Sequence, residues 1–250
     1  MKLSCEIPVA HLKKITPSTD YDFIIASHCI HNPEYKEFFI NLRKEEPQRY
    51  SILDNGAFEE GKAIDSDVYI ELIHTLKPNM LVLPDVVNDM NGTLNASQAF
   101  MIDHDELLKE GLYAVMGVLQ GNSVEEYLHC LKEYNEYDVI DTIGIPYHLF
   151  YRPLFIEKND IIEFCRNNGL EIHILGLPNP FEVIELSKYS DIIKSIDSSL
   201  PIVSGKNLKL FRRLEWKRER LNINDVYDEE QVLYAIGNIE HLKTLTIISR

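Results

Sequence analysis

Short β-branched or apolar runs alternate along this chain with longer amphipathic stretches. The runs are FIIASH (23–28), YSILDN (50–55), MLVLPD (80–85), YAVMGVLQ (113–120), VIDTIGI (139–145), EIHILGL (171–177) and DIIKSID (191–197). Between them the apolar spacing is helical, as in SDVYIELIHTLK before Pro78 and SVEEYLHCLKEY after Gly121. Ser123 followed by Glu126 makes a capping box, a helix-start signal. Near-continuous apolar strands separated by helices mean a parallel sheet covered on both faces. No GxGxxG follows the first run, which argues against an open dinucleotide-binding sheet. Seven strands in a chain of 250 residues fit a closed barrel of eight. The eighth is expected either as an irregular stretch near 222–227 or as TLTII near the C-terminus. The expected fold is therefore α/β, a (β/α)8 TIM-like barrel, one domain over 1–250 with a C-terminal helical segment.

The polar residues that end the runs are the informative ones. Asp54 ends one and leads into Asn55-Gly56-Ala57-Phe58; Pro84-Asp85 ends the next. Gln120-Gly121 ends a third, Gly144 a fourth (followed by Tyr147), Leu175-Gly176 a fifth and Asp197 a sixth. In a barrel these C-terminal ends meet on one face, where active sites lie. Any single Asp or Gly there reads equally well as a turn residue; six strand ends in succession carry the argument. Crowded carboxylates suit chemistry at an anomeric carbon, one attacking C1′ and the other handling the proton. An Asp and a Gln can read a purine edge, the first accepting N–H groups and the second donating to a carbonyl. Glycines let a flat base approach the backbone, and Phe58 or Leu175 could cover its faces.

Composition narrows the partners. The net charge is −15, so long-range capture of a polyanion is not favoured. Residues 206–220 run against that trend, with seven basic residues against Glu215 and Glu219. At helical spacing Lys206, Lys209, Arg213, Lys217 and Arg220 would form one face, read either as a solvated surface or as a phosphate contact. The four cysteines are far apart and show no CxxC pair, so neither a disulfide framework nor a zinc module is indicated. His28, Cys29 and His31 cluster tightly, but no further ligand pair is near in sequence, and His28 is read as a pocket residue. No metal and no cofactor are expected. No apolar run approaches the roughly 18 residues of a membrane span, and no signal peptide is read at the N-terminus, so the expectation is a cytoplasmic protein without a membrane partner.

The ordered set Asp54-Asn55-Gly56-Ala57-Phe58, Asp85, Val118-Leu119-Gln120-Gly121, Gly144, Leu175-Gly176 and Asp197-Ser198-Ser199-Leu200-Pro201 resembles the tRNA-guanine transglycosylase family. More closely it resembles that family's short phage-type relatives, which place 7-deazaguanine bases into DNA. The resemblance spans about 50 to 201. It implies a barrel that swaps guanine for a 7-deazaguanine of the preQ0 kind through a covalent enzyme–sugar intermediate. Asp197, in a D-x-x-x-P setting, matches the nucleophile, and Asp54, in D-x-G-x-aromatic, the general acid/base. Asp85 and Gln120 match base readers, Gly144 lines their pocket, Phe58 stacks and Leu175 closes the other face. The tRNA enzymes carry a C-terminal zinc motif of three cysteines and a histidine. No cysteine follows Cys165, so a barrel without that zinc subdomain is expected. The implied partners are guanine or a 7-deazaguanine and DNA, in the host cytoplasm if the protein is phage-encoded. A free deoxyguanosine nucleotide, tRNA, a nucleoside or glycoside hydrolase, a non-catalytic nucleic-acid-binding barrel and a homodimer remain open alternatives.

Overall fold

Eight short strands are the framework: β1 (Lys2–Ser4), β2 (Asp22–Ile25), β3 (Ser51–Asp54), β4 (Met80–Val82), β5 (Ala114–Val118), β6 (Thr142–Pro146), β7 (Glu171–Leu175) and β8 (Ile193–Asp197). The computed structural model describes every residue except 110, 148–154, 178, 212–219 and 249–250, and the backbone alone at 155–158 and 247–248. The strands form one sheet in the order β1-β8-β7-β6-β5-β4-β3-β2. Helices lie between successive strands. This is the α/β class and the strand order of a (β/α)8 TIM-like barrel. By contacts the chain divides into two compact units, Ile24–His173 and Met1–Phe23 with Ile174–Arg250.

In the Ile24–His173 unit, β3, β4, β5 and β6 pair in parallel, with Ile52 opposite Met80, Leu81 opposite Val115 and Val118 opposite Gly144. The helix Ser66–Leu76 buries Tyr69, Leu72, Ile73 and Leu76, the spacing of one helical face. Asp65 caps its first turn, accepting from the Asp67 and Val68 amides. The buried Tyr69 hydroxyl lies 2.8 Å from Leu53 O and 2.9 Å from Val82 O and accepts from Val82 N–H at 3.2 Å. It thus fastens β3 to β4. The capping box at Ser123 forms in part. Ser123 Oγ accepts from Glu126 N–H at 3.2 Å, while the Glu126 carboxylate turns to Asn122 N–H instead of Ser123 N–H.

In the other unit β1 pairs in parallel with β8, Ser4 opposite Asp197. β1 is the eighth strand, and it lies at the N-terminus, contrary to both expected places. Three residues led by a charged Lys2 leave no apolar run to recognise. Residues 222–227 form turn and coil, held by Val9 N–H on Ile223 O at 2.9 Å and Tyr227 N–H on His11 Nε2 at 2.6 Å. TLTII belongs to the helix Glu229–Ile248, where Val232, Ala235, Ile239 and Leu242 are buried at helical spacing. That helix packs so closely on Leu200–Lys206 that a Cβ at Gly205 would sit 2.5 Å from Ala235 N.

β1 and β2 end the strand order, and a side chain joins them. Asp20 N–H donates to Leu3 O at 2.8 Å. Beyond it the Ser4 hydroxyl donates to Tyr21 O at 2.8 Å and accepts from Phe23 N–H at 3.1 Å. One buried serine there satisfies two backbone groups that a ladder would otherwise pair. Among the described residues no helix is long and apolar enough to cross a membrane.

Candidate active site

The strand-end residues fall into two sets, one in each unit. In the Ile24–His173 unit, Asp54 closes β3, and its Oδ2 accepts from Gly56 N–H at 2.8 Å, a tight turn. Asn55 is buried inside that turn. Its Oδ1 accepts from Ala57 N–H at 2.8 Å, and its Nδ2 donates to Leu83 O and to Asp85 Oδ1, both at 2.7 Å. Gln120 approaches Asp85 from the other side, Nε2 donating to Oδ2 at 2.5 Å. Gln120 Oε1 accepts from Asn88 N–H at 3.0 Å. Asn88 has a positive φ of 62°, and its own carbonyl accepts from Asn122 Nδ2.

Asp85 is 4% exposed, and among the described residues no cation pairs with it. Burial pushes its carboxyl above the ordinary carboxylate value, and the two amide donors pull in the opposite direction. The loop after Asp54 folds back over this group, with Ala63 N–H on Asp85 O at 3.0 Å and Ile64 N–H on Asn55 O at 3.1 Å. Phe58 lies on the short helix Ala57–Glu60 and is 58% exposed. Gly121 follows Gln120, and its carbonyl accepts from Tyr127 OH at 2.8 Å. Gly144 is a ladder residue of β6 whose carbonyl accepts from Leu119 N–H at 2.9 Å. Tyr147 is half-buried in the turn after β6; the neighbouring His148 and Arg152 lie outside the described residues.

His28 does not end a strand. The FIIASH run splits, β2 stopping at Ile25 and a helix covering Ala26–His31. His28 meets Tyr35 edge-on, with ring centroids 5.6 Å apart. The exposed His31 lies 3.1 Å from Glu60.

In the other unit Asp197 closes β8. Its Oδ1 accepts from Gly176 N–H at 3.0 Å and its carbonyl from Leu177 N–H at 2.9 Å. Gly176 takes a φ of 69°, a conformation that a glycine adopts without strain, and so turns its N–H to the carboxylate. Leu175, the last residue of β7, is half-buried beside it. Ser198 N–H donates to Ser4 O at 3.1 Å, and the Ser198 hydroxyl donates to Leu177 O. Burial pushes the Cys5 thiol and the Tyr21 phenol well above their ordinary values. The Asp197 charge adds to both shifts, so its carboxylate lies close to these buried groups. Tyr21 OH donates to Ile196 O at 2.8 Å, one residue before Asp197.

The continuous basic helix expected at 206–220 does not start where it should. The helix Leu200–Lys206 stops at Lys206. Leu208 takes a φ of 51°, Leu208 N–H reaches Gly205 O and Lys209 N–H reaches Ser204 O, both at 2.9 Å. These two bonds make a Schellman stop, which satisfies the last carbonyls and redirects the chain. Lys206 and Lys209 are therefore not on one helical face. Lys206 pairs with Asp225 at 2.8 Å, and Arg220 is exposed. Arg213 and Lys217 lie outside the described residues.

Asn55 was visible in sequence only as a turn residue after Asp54; its contact with Asp85 joins residues 30 apart. No family model matches this chain, and no curated protein matches it.

Proposed function

We propose that this chain is a base-exchanging transglycosylase that replaces guanine with a 7-deazaguanine in nucleic acid, with DNA the favoured substrate. The observation that carries the reading is the Asn55–Asp85–Gln120 cluster. It offers a buried carboxylate between two amides, with no cation paired to it among the described residues, an acceptor suited to a flat ligand edge bearing adjacent N–H donors. Guanine and its 7-deaza analogues present such an edge at N1–H and the exocyclic amine. The second N–H of the Gln120 amide is the donor suited to the base carbonyl.

The roles that the motif resemblance gives Asp197 and Asp54 complete the chemistry. An Asp197 oxygen attacks C1′ of the sugar. The C1′–N9 bond breaks with its electron pair on guanine, which takes a proton from Asp54 and leaves neutral. The incoming base gives its N9 proton to the Asp54 carboxylate, and N9 attacks C1′. The C1′–oxygen bond then breaks and its pair returns to Asp197.

A second reading keeps this chemistry on a free deoxyguanosine nucleotide. The charge of −15 and the pairing of Lys206 with Asp225 favour it. Exchange of radiolabelled guanine into DNA, tRNA and dGMP, run side by side, tests both. Label entering DNA, with binding that weakens steeply as salt rises, supports the polymer. Label entering dGMP alone selects the nucleotide. Release of base without incorporation in any substrate means a hydrolase and overturns both readings.

A further inference from the structure

Amide side chains present either an oxygen or an N–H₂ to a neighbour, and here the backbone decides which. Ala57 N–H can only donate, so Asn55 Oδ1 must face it, and Asn55 Nδ2 is left facing Leu83 O and Asp85 Oδ1. Asn88 N–H likewise claims Gln120 Oε1 and leaves Nε2 to Asp85 Oδ2. Neither amide can flip without setting donor against donor. Both therefore match the ionised form of Asp85, each oxygen of which accepts one bond and keeps a second lone pair for a ligand.

Asn55 has a further connection. Its oxygen closes the same turn that Asp54 closes through Gly56 N–H. Asn55 thus bonds the carboxylate of Asp85 and the turn that carries Asp54, with every side-chain group satisfied and 1% exposure.

We propose that Asn55 is a positioning residue that holds Asp85 as an oriented, ionised acceptor and ties it to the Asp54 turn. For its ligand this rests on the base-exchange reading above; for its test it does not. The Asp85 carboxyl is titrated by carbon-13 NMR in the ligand-free protein, its signal assigned by its loss in Asp85→Asn. Guanine affinity is measured over the same pH range by calorimetry. Hydrogen bonds to charged groups are worth about 1.5–3 kcal/mol. Asn55→Ala therefore raises the Asp85 midpoint by roughly one to two pH units. The pH below which guanine binding is lost moves up in step.

Asn55→Asp keeps the shape and the bond to Ala57 N–H but sets a like charge against Asp85. It raises the joint titration further and serves if the alanine variant does not fold. An Asp85 midpoint that stays put in a folded Asn55 variant overturns the proposal and leaves Asn55 a turn residue. Failure of the wild-type protein to bind guanine overturns the base-exchange reading instead, and the ligand-free titration still decides the role of Asn55.

Discussion

Gln120 and Asp85 are hydrogen-bonded to each other, Nε2 to Oδ2 at 2.5 Å, with Gln120 Oε1 held by Asn88 N–H. In sequence they are two independent candidates for reading a base edge. Their contact makes them one unit, in which the amide orients the carboxylate and keeps one N–H to offer. The carboxylate stays charged only against the cost of its burial.

On the base-exchange proposal, that balance makes base binding pH-dependent. The folded-state pKa of Asp85 lies above the ordinary value of 3.8, so the acceptor form is complete only above the raised value. Guanine affinity should be full there and fall as pH drops through it. Asp85→Ala should weaken binding by roughly ten- to a hundred-fold, the effect of about 1–3 kcal/mol for an unpaired polar edge. The variant should also flatten the profile. A calorimetric series in which variant and wild type fall together would take Asp85 out of the ligand site.

Asp197→Asn retains an oxygen for Gly176 N–H, so the turn after β7 should survive the change. Exchange should fall on the order of a thousandfold or more, as expected when a nucleophile is removed. Trapping the wild type with substrate and mapping peptides should place a sugar adduct on Asp197. An adduct on Asp54 would exchange the two roles.

Ser4→Ala removes the hydroxyl that bridges Tyr21 O and Phe23 N–H, and leaves both backbone groups without that bond. A loss of about 1–3 kcal/mol is expected, seen as a melting temperature lower by several degrees. Ser4→Thr keeps the hydroxyl and should recover part of the loss. Equal melting temperatures for wild type and Ser4→Ala would show that the join between β1 and β2 does not depend on this bridge.

Burial, with the nearby Lys14 charge, holds His11 below its ordinary pKa of 6.5, and its Nε2 accepts from Tyr227 N–H. Its contribution to stability is complete above 6.5. It is lost as pH falls below that value towards the lower folded pKa, since the unfolded chain takes up a proton that the folded one resists. Chemical denaturation at successive pH values should show this acid-side slope in wild type and a shallower one in His11→Gln. The same slope in both would assign it to other groups.

Sequence alone determined what repetition can encode. Seven apolar runs and the helices between them are local patterns of buried and exposed positions, and the barrel class follows from their number and order. The residues ending the runs, Asp54, Asp85, Gln120 and Asp197, stand out as candidates in the same way. Tertiary structure decided what depends on contacts between distant segments. β1 has only three residues, and pairing with β8 is what makes it a strand. The helix Leu200–Lys206 stops because Leu208 turns left-handed and Lys209 N–H caps Ser204 O, where charge spacing alone placed a helix from 206 onward. The charge state that Asn55 and Gln120 favour in Asp85 follows from Ala57 N–H and Asn88 N–H. Each of these backbone groups can only donate, and only folding brings them to those two amides.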